Sequence, residues 1–184
     1  MHEEPCNSGM SVHDEHHVAI EVLGAAVVQR ALDRLPADRR AEYDGATALS
    51  WVRISTILMF FQGLAEETGR DIWDVHEEIV RHGIARTLTT VWRLLLRMTS
   101  DEAIVKRTPI LYGKHFNIGR ASAQIDAKGN GRMRVVDFPM IDDMSLHGLS
   151  VGIEAVLEFA GRANVRVRPR RTAQGADFEL RWDP

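Results

Sequence analysis

The stretch that decides the fold is residues 116–182, FNIGRASAQIDAKGNGRMRVVDFPMIDDMSLHGLSVGIEAVLEFAGRANVRVRPRRTAQGADFELRW. Its apolar residues first alternate with polar ones, then recur at helical spacing from Leu146 to Ala160, and then return to an extended pattern. Lys128-Gly129-Asn130-Gly131 tolerates positive φ and predicts a hairpin turn, and Gln174-Gly175 predicts a second turn. The stretch therefore predicts the order strand, strand, helix, strand, strand.

The residues before this stretch predict a layer of about four helices. Residues 18–35, 51–67 and 72–98 carry apolar side chains at helical spacing, and a short fourth helix follows Ser100 and ends near Pro109. A polar connector is predicted over residues 37–48. We therefore predict an α/β (α+β) fold in which a helical layer is followed by a four-stranded antiparallel sheet crossed by one helix.

Composition and charge restrict the class of protein. The chain has 184 residues, of which 45% are hydrophobic, which is enough for one core without a disulfide or a metal. We predict a flexible leader over residues 1–17 and a single ligand-binding-like α+β domain over 18–184. The single cysteine, Cys6, is typical of a reducing cytoplasm, and no secretory or membrane-spanning segment is predicted. A net charge of −3 gives no general attraction to nucleic acid.

Several short packing and turn motifs run through the chain. They are Gly24 with Leu35-Pro36, Ser50-Trp51-Val52, Met98-Thr99-Ser100-Asp101-Glu102 with Tyr112, Phe116-Asn117-Ile118-Gly119-Arg120, Leu146-His147-Gly148-Leu149 with Gly152, and Phe178-Glu179-Leu180-Arg181-Trp182. Over about residues 18–182 the chain resembles an uncharacterised family of bacterial proteins of similar length that is expanded in myxobacteria. That family is itself similar to four-vinyl-reductase-like and haem-nitric-oxide-binding-like sensory domains.

The resemblance implies a ligand-binding or sensory fold, usually without catalysis, whose helices and sheet enclose a small apolar molecule. Relatives that bind haem carry a Tyr-x-Ser-x-Arg clamp. Tyr112-Gly113-Lys114 departs from that clamp, which argues against haem, so no cofactor is expected.

The predicted ligand pocket lies between the helical layer and the sheet. Two glycines of the crossing helix are four residues apart, and they either let the helix lie close to the sheet or open space for a ligand. Met59 and Phe60, off the main apolar face of the second helix, line a cavity or form a dimer contact. The residues proposed for the pocket are Phe61, Trp92, Phe116, Gly148, Gly152 and Ile153.

One basic stripe stands out on the predicted third strand of the sheet. Arg166, Arg168 and Arg170 are two residues apart, so they share one face of the strand. The stripe either contacts an acidic partner or is a solvated face balanced by acids such as Asp177 and Glu179. Nucleic-acid binding would require aromatic residues between the arginines, and the stripe has none.

Histidines at two places have the spacing of functional sites, and each also has an ordinary structural interpretation. His13 and His17, four residues apart, suit two metal ligands on one helix face or an exposed polar leader. His82 lies one turn after Glu78, where it either transfers protons or belongs to a surface ladder of charged side chains. No metal site is predicted.

Residues 142–147 place two carboxylates, a hydroxyl and an imidazole close together in the sequence. Ser145 and His147 suit either a nucleophilic site or the capped start of the crossing helix, with Asp142 and Asp143 favouring its positive end. No Gly-x-Ser-x-Gly nucleophile motif is present.

The function predicted from these patterns is a non-enzymatic regulatory or sensory domain that binds a small apolar or amphipathic ligand and relays this to a protein partner. The alternative is a protein–protein adaptor or homodimerisation module without a small ligand. A hydrolase or haem protein built on His82 or His147 is a third hypothesis.

Overall fold

The structure, a computed structural model, describes residues 4–87 and 100–183, and these residues divide into two compact units. The helical unit comprises Met1–Gly83 with His115–Asn117, and the sheet unit comprises Ile84–Lys114 with Ile118–Pro184. Trp92 and Met98, with the last part of the predicted third helix, lie outside the described residues. Whether 18–184 folds as a single domain stays a prediction.

Most of the helical unit is made of short and medium helices. Phe60, Phe61, Leu64 and Ile79 are fully buried and form much of its core. Its elements are β1 (Cys6–Ser8), α1 (Gly9–Leu23), α2 (Ala25–Asp33), α3 (Ala37–Asp44), β2 (Trp51–Arg53), α4 (Ile54–Thr68) and α5 (Ile72–Thr87), the last of which continues beyond the unit.

The N-terminal segment differs from the predicted flexible leader. Residues 6–8 pair with 51–53 as an antiparallel two-stranded sheet, and Ser8 caps α1 by accepting a hydrogen bond from the Ser11 amide at 3.3 Å. Gly9 is required at this junction, because a Cβ there would lie 2.0 Å from the Thr47 carbonyl oxygen. The strand pairing and the approach of Gly9 to Thr47 join residues more than thirty positions apart, so the local sequence pattern did not reveal them.

The helix predicted over 18–35 is two helices in the structure. Gly24 has φ of 88°, which separates α1 from α2. The predicted polar connector contains α3, which begins directly after Pro36 and has Asp38 in its first turn. Tyr43 on α3 is buried, so the connector contributes to the core that its polar composition concealed.

The sheet unit has the predicted strand order. β3 and β4 form one hairpin, β5 and β6 form the other, and all neighbouring strands are antiparallel in the order β3-β4-β6-β5. This confirms the α+β prediction with its crossing helix, although six described helices precede the four-stranded sheet where about four were predicted. The elements are α6 (Asp101–His115), β3 (Arg120–Ala127), β4 (Asn130–Val136), α7 (Asp143–Phe159), β5 (Ala163–Thr172) and β6 (Gly175–Asp183).

Helix α6 runs through the proline that was predicted to end it. Pro109 lies inside the helix, where it removes one backbone donor, and the helix continues to His115. Tyr112 then anchors the start of the sheet, because its hydroxyl donates to the Ile118 carbonyl at 2.9 Å. Gly119, with φ of 82°, turns the chain beside that hydroxyl, where a Cβ would lie 2.7 Å away.

The sheet has one buried and one solvated face. Val135, Phe178 and Trp182 on the buried face illustrate the alternation, and burying each such side chain contributes about 1.5–3 kcal/mol. α7 packs beside β5 and buries Val151 and Ala155. No helix within residues 4–87 or 100–183 is long and apolar enough to cross a membrane.

Candidate functional site

The residues proposed for the pocket fall in both units. Phe61 and Phe116 belong to the helical unit, whereas Gly148, Gly152 and Ile153 belong to α7 in the sheet unit. Gly148, Gly152 and Ile153 therefore lie close together on one helix. The pocket stays a prediction.

The half-buried side of α7 has room beside its glycine. Gly148, Gly152 and Ile153 are all half-buried. Among the described residues, a Cβ added at Gly152 would meet the Ile84 side chain at 3.9 Å, which is ordinary van der Waals contact. Packing against residues 4–87 and 100–183 therefore does not require a glycine at this position, and the interpretation that Gly152 opens space on α7 stays a prediction.

Phe61 is a core residue of the helical unit. Its ring is fully buried and stands edge-on to His76, with 4.7 Å between ring centroids. Phe60 is also buried and contacts Tyr43, as a core residue does. Met59 is 37% exposed and lines an open groove of about 330 Å³ between α4 and residues 34–36, which follow α2.

The buried histidine of α5 is His76, which the sequence analysis missed. It is 4% exposed and follows Val75 on the apolar side of α5, and a histidine among apolar residues at helical spacing was the available signal. His82 is exposed instead, and its Nδ1 lies 2.8 Å from the Glu78 carbonyl oxygen. The Glu78 carboxylate pairs with Arg70 at 2.6 Å, which favours the surface interpretation of His82 over proton transfer.

The N-terminal histidines face backbone oxygens. His13 Nε2 lies 3.0 Å from the Ala46 carbonyl oxygen, and His17 Nδ1 lies 2.8 Å from the His13 carbonyl oxygen. Within 4–87 and 100–183, no three His, Cys, Asp or Glu side chains are placed to hold a metal ion. Both histidines thus contact the backbone of the helical unit, which favours a structural role for them.

The polar cluster at the start of α7 is a helix cap. Asp142 accepts from the Ser145 amide at 2.8 Å and from the Ser145 hydroxyl at 2.7 Å. The capping residue is therefore Asp142, where the sequence analysis favoured Ser145, because Asp142 has the extended backbone of a cap. Ser145 is 5% exposed and its hydroxyl proton is directed to a carboxylate, which does not suit a nucleophile on a substrate.

The solvated face of the sheet is strongly basic. Its charged residues alternate with the buried ones on each strand, and the register places them in rows across the four strands. We call this surface the outer face. It carries Arg120, Arg132, Arg134, Arg166, Arg168, Arg170 and Arg181, with Asp126, Asp177, Glu179 and Asp183 among them.

Four of these arginines form ion pairs. Asp177 binds Arg134 at 2.7 Å and Arg170 at 3.0 Å, and the hydrogen bond from Arg134 is the main cause that holds the pKa of Asp177 below its usual value. Arg132 binds Asp126 at 2.7 Å, and Arg120 binds Asp137 at 2.5 Å. In the described part of the chain, ion pairs of this kind are absent for Arg166, Arg168 and Arg181.

The unpaired arginines are neighbours in the register. Arg166 lies directly opposite Arg181, and Arg168 lies opposite Glu179. Arg170, which the sequence grouped with the stripe, faces Asp177 and shares that carboxylate with Arg134. The stripe of Arg166, Arg168 and Arg170 as a partner surface stays a prediction, and Arg166, Arg168 and Arg181 are the arginines of the face without such an ion pair in the described part of the chain.

Comparison with solved structures identifies the fold. No protein-family model and no curated protein matches the chain. A variant of the H-NOX protein from K. algicida, in its Fe(II) unliganded form, matches with a TM-score of 0.71 at 11% identity, covering 96% of this chain and 97% of that chain. An oxygen-binding H-NOX domain related to soluble guanylate cyclases matches with a TM-score of 0.63 at 18% identity, covering 96% of this chain and 95% of that chain. The chain therefore has the H-NOX fold.

The residues of this chain do not fit the haem that is named for solved H-NOX proteins. Its two tyrosines, Tyr43 and Tyr112, are not followed by Ser and Arg at the spacing of the clamp. The Tyr112 hydroxyl is used inside the fold by its bond to Ile118, and burial raises the pKa of Tyr112 above its usual value. Tyr43 lies against His16, with 3.4 Å between its hydroxyl and Nδ1.

Proposed function

We propose that this protein is a non-enzymatic sensory domain that binds a small apolar or amphipathic ligand and relays its presence to a protein partner. The observation that carries the proposal is the H-NOX fold over 96% of the chain, since the solved domains of this fold include an oxygen-binding one. We further propose that it acts in the bacterial cytoplasm as a relative of the myxobacterial proteins that its motifs resemble.

The proposed ligand is a molecule other than haem. The missing clamp and the internally bonded Tyr112 hydroxyl support this choice. Among the residues proposed for the pocket, Gly152 has the clearest support, because a side chain in its place would have room beside Ile84. Gly148 and Ile153 share the helix, and Phe61, Trp92 and Phe116 remain proposed members.

Native mass spectrometry of the purified protein, before and after denaturation, tests the proposal. We expect a non-covalent mass that is lost on denaturation. Gly152→Leu should reduce the carried mass, because the larger side chain fills the space beside Ile84. Gly113→Leu is the matched control, because Gly113 is an exposed helix glycine with nothing within 4 Å of its Cβ position, and this variant should carry the ligand as the wild type does.

A native mass equal to that of the bare chain would contradict the ligand proposal. A Gly152→Leu variant that carries the same extra mass as the wild type would contradict it too. Circular dichroism of both leucine variants separates loss of ligand from loss of folding. A ligand-free dimer would favour the adaptor or homodimerisation module, which is the second candidate function.

The second candidate is favoured by the basic outer face of the sheet. We propose that Arg166, Arg168 and Arg170 lie within the surface that contacts the partner. This surface belongs to the sheet unit alone, so its test does not depend on the ligand.

A further inference from the structure

We propose that the outer face around Arg166, Arg168 and Arg181 binds an extended acidic segment of the partner protein through its carboxylates. The inference rests on the proposed relay to a protein partner and names the chemistry of that partner. It also adds Arg181, which lies opposite Arg166, to the proposed contact residues, and centres the surface away from Arg170, which is paired with Asp177.

The first support is the arrangement of charge across two strands. Arg166 on β5 and Arg181 on β6 are directly opposite, so two like charges meet where an acid would stabilise the sheet. Arg168 stands two residues along β5 on the same face. Three guanidinium groups are thus gathered at one end of the hairpin, and carboxylates from outside would remove their mutual repulsion.

The second support is the contrast with the arginines beside them. Arg134 and Arg170 share Asp177, and Arg132 has Asp126, so the chain supplies its own acids to these positions. Glu179 and Asp183 also lie on the face, but neither forms an ion pair of this kind with Arg166, Arg168 or Arg181 among the described residues, so carboxylates of another molecule can bind there. The face has seven arginines and four acids in a chain whose net charge is −3, so the basic character is local.

The side chains of the face favour a protein over nucleic acid or a membrane. The strands place no aromatic residue on the outer face, so bases have nothing on which to stack. Asp177 and Glu179 interrupt the arginines, which would repel a continuous layer of lipid phosphates. Discrete carboxylates on a peptide can avoid these acids and reach the arginines individually.

The partner would lie across the face, because the neighbouring edge of the sheet is closed. The Val167 amide, which points away from β6, donates to the Glu154 carboxylate at 3.0 Å. Pro169 follows two residues later and has no amide hydrogen to offer. A strand added to this edge of β5 would find these two donor positions occupied or absent.

The spacing of the arginines fits an extended peptide. Residues two apart on a strand are separated by about 6.6 Å, since each residue rises about 3.3 Å. A peptide with Glu at every second position presents carboxylates at the same interval as Arg166 and Arg168. The side of such a peptide that faces the sheet would be acidic along its whole length.

The experiment uses the full chain and a fluorescent peptide of alternating Glu and Thr, with binding followed by fluorescence anisotropy at low and at physiological ionic strength. We expect binding that weakens as salt is added. The triple variant R166E/R168E/R181E should bind the peptide roughly a hundredfold more weakly, because like charges then face each other. The milder triple variant R166Q/R168Q/R181Q should show the same direction of change.

The matched control is K106E/R107E/K114E, which makes the same change in net charge at exposed positions of α6. This control should bind as the wild type does. Equal loss in the two reversed variants would overturn the proposal, since net charge alone would then explain binding. Absence of peptide binding, or tighter binding of single-stranded RNA or phosphatidylserine vesicles than of the peptide, would also overturn it.

We expect peptide binding by the outer face not to depend on the small ligand. Native mass spectrometry of R166E/R168E/R181E should show the same carried mass as the wild type. Loss of peptide binding with ligand retained supports the docking surface. A chain that carries no ligand and still binds the peptide contradicts the sensory proposal and leaves the acidic-partner proposal supported.

Discussion

The described arginines of the helical unit pair with acids of the chain, whereas Arg166, Arg168 and Arg181 on the outer face of the sheet do not. In the helical unit they form local networks, with Arg53 bound to Glu42 at 2.9 Å and Arg40 bound to both Asp33 and Asp44. On the outer face of the sheet, Arg166 meets Arg181 in the register without an acid between them. Arginines of the first kind stabilise the chain by internal pairing, whereas those of the second kind are available to another molecule.

The difference separates structural charge from interaction charge. A half-buried carboxylate that serves several donors is costly to remove, because its partners remain without an acceptor. Exposed like charges that face each other cost little, and removing one of them relieves repulsion. Removing a shared carboxylate such as Glu42 and removing one of the two opposed arginines should therefore change stability in opposite directions.

The largest effect is expected for Glu42→Ala in the helical unit. The Glu42 carboxylate accepts from the Arg53 amide at 3.1 Å and from the hydroxyl of Thr56, which is fully buried. The variant should lose about 2–4 kcal/mol in the free energy of unfolding, because a buried hydroxyl and a guanidinium lose their acceptor. Urea unfolding measures this change, and the exposed Asp38→Ala should change it by less than about 0.5 kcal/mol.

A pH-dependent effect is expected at Glu15 on α1. Burial, with a smaller contribution from Asp14, raises the pKa of Glu15 from 4.5 to about 8. Because the folded pKa is the higher one, its contribution to stability is complete below the unfolded value and is lost as pH rises from about 4.5 to about 8. Glu15→Gln should therefore be more stable than the wild type by about 1–3 kcal/mol above that range.

Thermal unfolding of Glu15→Gln and the wild type across this pH range checks the prediction. The two curves should converge in acid and separate in base. Asp14→Asn removes the smaller cause and should shift the wild-type profile slightly toward that of Glu15→Gln. Parallel curves at all pH values would contradict a raised Glu15 pKa.

A smaller effect is expected for Asp177→Asn on the sheet. Asp177 pairs with both Arg134 and Arg170, and its lowered pKa means that its contribution is present above the unfolded pKa and is lost as pH falls. The variant should lose about 0.5–1 kcal/mol at neutral pH and low salt. Repeating the measurement at high salt should shrink the difference, and a salt-independent loss would indicate packing instead of charge.

The smallest effect, with the opposite sign, is expected for Arg166→Thr. Removing one of two opposed arginines should raise the free energy of unfolding by about 0.2–0.5 kcal/mol, because repulsion with Arg181 disappears and threonine suits a strand. Arg170→Thr, at a paired position of the same strand, should lower it slightly. Chemical denaturation of both variants tests the comparison directly, and equal losses would remove the distinction between the two kinds of arginine.

The sheet unit was predicted well because its signals are local. Alternation, hairpin turns and the helical spacing of α7 all depend on residues a few positions apart. The helical unit was predicted less well, since β1 pairs with β2 across more than forty residues and Gly9 is required by the backbone at Thr47. Contacts between residues so far apart in the chain produce no local sequence pattern that predicts them.

The site shows the same division. The spacing of Arg166 and Arg168 on one strand face was evident from the sequence. The pairing of Arg170 with Asp177 and the position of Arg181 opposite Arg166 depended on β6. His82 attracted attention through its charged neighbours, while His76 is the buried imidazole, because burial depends on what packs against α5.

By itself, the sequence determined the α+β class, the two hairpins with their crossing helix and the basic strand, because periodicity and turn preferences act over a few residues. The tertiary structure alone decided which arginines of the described residues stay without an ion pair and how the N-terminal segment pairs with residues 51–53. The reason is that ion pairing and burial are set by the distance to residues far away in the chain, which a local pattern does not record.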